Sequence, residues 1–220
     1  MNTAKINAIT QPIIDGINTP EEFIAYAARV SNPTNQKNSD TSERLLKYLI
    51  RNKHWSPFEM VNVVMQVDTT RDIARQILRH RSFAFQEFSA RYSDPTGDLG
   101  FSTREARLQD SKNRQNSIEV EDNELQDNWN RLQENIKTYS QDAYRWAIEH
   151  GIAKEQARAV LPEGITNSRL YMAGSLRSWI HYIEVRTDAG TQKEHREVAE
   201  SAKQELLIHF PFLNTIWDKS

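Results

Sequence analysis

Between residues 125 and 146 the apolar side chains Leu125, Trp129, Leu132, Ile136, Tyr139, Ala143 and Trp146 recur at steps of four and three. That spacing keeps one face of an α-helix apolar for about seven turns. A helix of this length dominates any fold that contains it, and its apolar face has to lie against other apolar surface. Gly151 supplies the stop, because glycine takes the left-handed conformation that ends helices.

The rest of the chain gives that helix a globular setting. With 220 residues there is room for one substantial domain, and we read 1–220 as a single one. Apolar residues at 38% and charged residues at 26%, with 5 Trp, 7 Tyr and 8 Phe, can build a core and exclude disorder throughout. A net charge of -2 argues against a general nucleic-acid coat, so any anion site must be local. The chain has no Cys, which removes disulfides, thiolate metal sites and cysteine nucleophiles together. The start, Met1 to Lys5, lacks the apolar core of a secretory signal, and no apolar run reaches membrane-spanning length. The expected location is the cytoplasm.

Local patterns place the other elements. Lys5 to Thr10 reads as a strand. Thr19-Pro20-Glu21-Glu22 has a capping oxygen, a Pro at the first helical position and a Glu at capping-box spacing, which starts a helix to about Val30. Leu45, Leu46, Leu49 and Ile50 give a second helix. Val61, Val63, Met65 and Val67 alternate as a strand ending at Asp68, and Thr69 with Asp72 reads as a capping box opening a helix to His80. Residues 94–126 are polar and mixed in charge, the pattern of a mobile surface insertion. A short helix is expected from Ala153 to Leu161, a strand from Ile165 to Ala173, a helix from Ser175 to Thr187, and a last helix opened by a capping box at Thr191 and ended by Pro211. The order predicts an α+β domain with a small sheet and several long helices.

Charge is concentrated in one stretch. Arg71, Arg75 and Arg79 fall four residues apart, and Arg81 and Arg91 follow, so residues 71–91 carry five arginines against Asp72 and Glu87. Arginine binds phosphate with a planar fork and keeps its charge at any working pH. For Arg71 alone the simpler expectation is a solvated face with pairs such as Asp72 with Arg75. If the segment after Arg81 is extended, Glu87, Ser89 and Arg91 point the same way and offer donors and acceptors to a polar anion.

Arg79-His80-Arg81, then Ser89 and Arg91-Tyr92, resembles the signature of the flavin-dependent thymidylate synthases. His54-Trp55-Ser56-Pro57-Phe58-Glu59 upstream is similar to a further segment of that family. So are Glu155-Gln156-Ala157-Arg158 with Leu161-Pro162, Leu176-Arg177-Ser178, and Val185-Arg186, in order, over roughly 44–210. The chain departs from the family pattern at Gln86 and His181, where Asn occurs in family members, and at Met60, where a second His is common.

The resemblance implies conversion of dUMP to dTMP, with methylenetetrahydrofolate as carbon donor, FAD as redox cofactor and NADPH as reductant. The other class of thymidylate synthase attacks uracil with a cysteine, which this chain does not have. Carried over by motif, Gln76, Arg79, Glu87, Phe88, Ser89, Ala90, Arg91, Arg158 and Arg186 surround dUMP, Phe88 and Ala90 through their backbones. Arg186 is the expected catalytic residue. The flavin set is His54, Ser56, Arg79, His80, Arg81, Ser82, Glu87, Ser175, Leu176, Arg177 and His181. The family also implies a homotetramer whose subunits share each site, so the apolar face of the long helix belongs either to an interface or to the core of its own chain.

The sequence leaves four other readings open to comparison. Ser89 could be a nucleophile, but no acid-base partner adjoins it and nucleotide binding is the better assignment. The spacing of His54, His80, His181, His195 and His209 matches no zinc pattern, so no metal is expected. A single-stranded nucleic-acid module would use Arg79, Arg81 and Arg91 on phosphates and Phe83, Phe85, Phe88 and Tyr92 on bases, and another nucleotide-modifying flavoprotein is the nearer rival.

Overall fold

The structure is a computed structural model that describes residues 2–217. Strand β1 (Thr3–Ile9) precedes helices α1 (Pro20–Ala28) and α2 (Ser42–Arg51), and a 3-10 turn at Ser56–Met60 leads into β2 (Asn62–Thr70). Helix α3 (Arg71–Ile77) and β3 (Ala84–Glu87) follow, then α4 (Pro95–Asp98) and a hairpin of β4 (Arg107–Gln109) and β5 (Ser117–Glu119). The second half is α5 (Asn123–Glu149), α6 (Lys154–Ala157), β6 (Asn167–Ser175), α7 (Leu176–Arg186), α8 (Lys193–His209) and α9 (Asn214–Trp217). The main sheet is antiparallel with strand order β1-β2-β6-β3, giving the expected α+β domain.

One face of this sheet is the core. Val63, Met65 and Val67 of β2 and Leu170 and Met172 of β6 alternate inward, each 1% exposed or less. They join Ile24 of α1, Leu46 of α2, Trp179 and Ile183 of α7, and Val198, Ala202 and Leu206 of α8 in one cluster. On the other face of the sheet Gln66 and Asp68 are half-buried and Tyr171 is exposed, with Asp68 and Arg169 paired at 2.6 Å.

The local starts did not all form as the sequence predicts. At α1 the capping box is complete: Thr19 accepts from the Glu22 amide and the Glu22 carboxylate accepts from the Thr19 amide. At α3 it is absent, because Thr69 stays in β2 opposite Ser168 and the strand runs on to Thr70. Thr70 then takes the cap position without a side-chain capping bond, its hydroxyl going to Asp72 instead. The helix also ends at Ile77 rather than His80, so Arg79 lies beyond it and does not continue the Arg71 and Arg75 face. At α8 the cap is Gln192, and the Thr191 hydroxyl bonds back to the Val185 carbonyl.

Two larger features bear on function. The segment 94–126 carries built structure, namely α4, the β4-β5 hairpin and a bridge from Phe101 to Thr166. What ties it down is polar: Arg104 forks onto both carboxylate oxygens of Asp72 at 2.7 and 2.9 Å and onto the Thr70 hydroxyl. The long helix α5 forms over 27 residues and ends at Gly151, whose φ is +77°. Its buried side chains, however, are Gln133, Ser140, Tyr144 and Ala147. Leu125, Trp129, Leu132, Ile136, Tyr139 and Trp146 face outward, so the apolar stripe is not a core stripe of its own chain.

Candidate active site

The strand-to-helix turn at Ser175 and the turn that follows α3 bring two motif segments together. Ser175 ends β6 and its hydroxyl accepts from the Ser178 amide, an N-cap that aims the first turn of α7 outward. Arg177, Ser178 and His181 of that helix meet Ser82, Trp55 and Ile180 around a cleft of about 390 Å³. Arg177 pairs there with Glu59, from the 3-10 turn. Trp55 and Ile180 give the cleft an apolar part, and Arg177, His181 and Ser82 stand with the carboxylates of Glu59 and Glu184 around it, a mixed lining of the kind that takes a flat polar ligand.

Deeper along α7, Arg186 donates from Nε to Nε2 of His80 at 2.9 Å. Burial, then the positive charges of Arg186, His181 and Arg79, push the His80 pKa down to about 4. His80 is therefore a neutral acceptor at ordinary pH. A carboxylate in its place would orient the guanidinium and also cancel its charge, whereas a neutral imidazole orients it and leaves the charge available. Among the described residues Arg186 forms no ion pair. His80 is itself held edge-on against Tyr182, with ring centroids 5.0 Å apart, and against Phe83.

The nucleotide set is arranged in three places. Gln76 lies on α3, close to Arg79 and His80, and its amide reaches Gln192 at 2.8 Å and His195 at 3.3 Å. Glu87 closes β3, where its carboxylate accepts from Ser168 at 2.8 Å. Past Glu87 the chain leaves the sheet, so Glu87, Ser89 and Arg91 do not share one extended face as the alternation predicts. The Phe88 amide still donates to Arg169, but the Tyr92 and Ser93 amides turn back to the Ser89 carbonyl. This turn buries Ala90 and leaves Arg91 exposed, 3.7 Å from Glu155, and Arg158 donates to the carbonyl of that same Glu155. Arg91 and Arg158 thus gather at the α6 end of the molecule, while Arg79, His80 and Arg186 gather where α3 meets α7.

Some flavin positions are less available. Leu176 is fully buried and its amide is committed to Val61, so it can serve a cofactor only through position. His54 and Ser56 are exposed at the 3-10 turn and Arg81 at the loop after α3. Phe83 and Phe85 pack partly against the core, Phe83 edge-on to Trp179, which removes them as platforms for stacked bases.

A family described as thymidylate synthase complementing protein matches residues 12–212. A probable flavin-dependent thymidylate synthase of Paramecium bursaria Chlorella virus 1 is 49% identical over 209 residues, covering 95% of each chain. This chain belongs to the flavin-dependent thymidylate synthase family. The Synechocystis flavin-dependent thymidylate synthase is 51% identical over 207 residues, 93% of this chain and 94% of that one. The fold is also that of the UMP/dUMP methylase PolB from Streptomyces cacaoi, with a TM-score of 0.79 at 24% identity over 98% of this chain and 94% of the other.

Several neighbours of the site lie outside the family-like motifs. Tyr182 stands one turn before Arg186 on α7, a spacing that could have drawn it in. His195, Gln192, Glu194 and Arg104 come from distant segments, and only the fold brings them to Gln76 and Asp72. Among the described residues no helix is long and apolar enough to cross a membrane, and no three His, Asp or Glu side chains converge as a metal site.

Proposed function

We propose that the chain converts dUMP to dTMP, taking the carbon from methylenetetrahydrofolate, with FAD as redox cofactor and NADPH as reductant. The observation that carries this reading is the pair of Arg186 and neutral His80 beside the cleft of Ser82, Arg177 and His181. Methylation at C5 requires the pyrimidine ring to act as an enolate-like nucleophile, which builds negative charge on a ring nitrogen and the carbonyl oxygens. Arg186 is the group that stabilises that charge, and His80 fixes its direction without drawing its charge away. Arg91, Arg158 and Ser89 hold the nucleotide's anionic and hydroxyl groups, and Gln76 and Glu87 complete its polar surround. FAD, when bound, supplies reducing equivalents so that the folate need not act as the hydride source.

A homotetramer is part of the same proposal. The outward stripe of α5 exposes Trp129, Leu132, Ile136 and Trp146 by 41 to 56%, more contiguous apolar surface than a solvated helix carries without a partner. Copies of the chain meeting there would also let Arg91 and Arg158 of one subunit serve a site begun by another.

The test is the purified protein itself. It is expected to be yellow, to release FAD on denaturation, and to form dTMP when given dUMP, methylenetetrahydrofolate and NADPH. Colourless protein that takes up no added FAD would overturn the reading. Salt-sensitive binding of oligonucleotides in place of dUMP would favour the nucleic-acid alternative instead.

A further inference from the structure

His195 is wholly buried on α8, outside every motif quoted above, and both of its ring nitrogens are engaged. Nδ1 lies 3.3 Å from Gln76 Oε1, and Nε2 lies 3.2 Å from the Tyr182 hydroxyl. Gln76 Nε2 in turn donates to Gln192 Oε1 at 2.8 Å, and Gln192 Nε2 donates to Glu194 Oε2 at 2.9 Å. Glu194 is held by Arg107, with Arg104 3.9 Å away.

The sense of every bond in this chain follows from its carboxylate end. Glu194, facing two guanidinium groups, only accepts, so Gln192 must turn its NH₂ toward it and its carbonyl toward Gln76. Gln76 must then donate to Gln192, which turns its own carbonyl toward His195. His195 must carry its hydrogen on Nδ1 and leave Nε2 bare for the Tyr182 hydroxyl. Flipping either amide would set two acceptors against each other away from water. The ring plays this part as a neutral group, since burial and then Arg186 push its pKa down to about 3, and burial pushes the Tyr182 hydroxyl up so that it keeps its proton.

We propose that His195 is a positioning residue that anchors the Gln76 carbonyl, in the sense that Gln192 and Glu194 set, so that the remaining Nε2 hydrogen of Gln76 is held toward an acceptor oxygen of the nucleotide. This rests on the placement of Gln76 at the dUMP site proposed above. With its carbonyl unanchored, Gln76 is held through Gln192 alone, and its remaining Nε2 hydrogen is off target for part of the time. Locking it removes that ordering cost from binding.

The test measures dUMP binding and steady-state kinetics on the FAD-loaded enzyme. His195→Leu is expected to raise the dUMP Kd and KM by about 10-fold, the worth of one ordered hydrogen bond, with kcat at saturating dUMP and FAD content nearly unchanged. Asparagine can place an N–H where Nδ1 stands, whereas glutamine reaches the Nε2 position, so H195N should rescue affinity and H195Q should not. In a Gln76→Leu background the further change His195→Leu should cost nothing more. If His195→Leu does not fold, the Asn and Gln pair decides, and equal losses in both overturn the proposal. Additive losses in the double variant overturn it as well, because His195 then acts other than through Gln76. Wild-type dUMP affinity in Gln76→Leu would remove Gln76 from the nucleotide site, and the positioning role with it, while leaving Arg186 and the flavin cleft untouched.

Discussion

In the proposed reaction Arg186 is the residue on which the chemistry turns, and its neighbours say how it should fail. Its guanidinium is half-buried and aimed by His80, so the charge is preorganised before substrate arrives. Removing such a donor costs about 2.7 to 4 kcal/mol, or roughly 10²- to 10³-fold in kcat. Arg186→Ala should fold, retain FAD and let NADPH reduce it, yet make little dTMP, and turnover within a few-fold of wild type would leave Arg186 only a helix-end role. Arg186→Lys should be impaired too, because lysine keeps the charge but loses both the Nε–H that donates to His80 and the planar fork beyond it. The two depressed histidines add a pH dependence. Unfolded histidine titrates near 6.5, while folded His80 and His195 titrate near 4 and 3. Above 6.5 both states are neutral and the pair contributes nothing to the slope. As pH falls below 6.5 the unfolded chain takes up protons that the folded chain refuses, so stability drops until the folded histidines protonate near 4 and 3. Urea midpoints between pH 6.5 and 5 should therefore fall with pH, and His195→Asn should flatten the fall; a slope unaffected by that change would count against a neutral buried His195. The Arg79-His80-Arg81 run was legible as a motif, but the use of His80 as a neutral rest for Arg186 was not. It joins residues 106 apart, and the protonation state it needs is a product of burial.

Elements were legible where the deciding interaction is local. The Thr19 capping box formed because its partners are three residues apart and no strand claims their backbone, the Glu22 carboxylate taking the Asn18 amide as well. Thr69 had the same spacing to Asp72, yet its backbone was worth more to the sheet, where β2 pairs with β6 through Asn167 and Ser168. The same competition cut short the extended run after Arg81: β3 pairs with β6 only from Ala84 to Glu87, and the chain then turns on Ser89. Where β3 and β6 meet, Gly174 is the residue that allows the approach. A Cβ built on it would lie 2.4 Å from the Phe83 ring, which sits between His80 and Trp179. Gly174→Ala must push that ring aside, and overpacking of this kind costs about 1 to 3 kcal/mol. Because Phe83 buttresses His80, the variant should show a lowered urea midpoint together with weaker FAD retention. Unchanged stability and flavin content would mean that the ring has room to move.

The whole molecule explains why the most visible sequence feature was also the least self-explanatory. Periodicity fixed the extent of α5 and named its apolar face, but it carries no statement of what that face meets. In the single chain the helix turns Gln133 and Ser140 inward; Gln133 exchanges hydrogen bonds with the Arg104 backbone, so the polar side anchors the segment 94–126. The stripe from Trp129 to Trp146 is left for another surface, and in the proposed homotetramer that surface belongs to a second copy of the chain. Leu132 and Ile136 lie one turn apart in the middle of that stripe and are 52% and 50% exposed. A double variant Leu132→Glu, Ile136→Glu puts like charges on a two-fold contact without touching the core of its own chain, where exposed substitutions cost little. It is expected to keep its helix content and to sediment as a smaller species than the wild type. If Arg91 and Arg158 serve the site of a neighbouring subunit, as proposed, it is also expected to lose dTMP formation. For the wild type, the melting temperature should rise with protein concentration, as it does when folding is coupled to assembly. A wild-type chain that sediments as a monomer and still turns over would remove the α5 face from the site and return Arg91 and Arg158 to the chain that bears them.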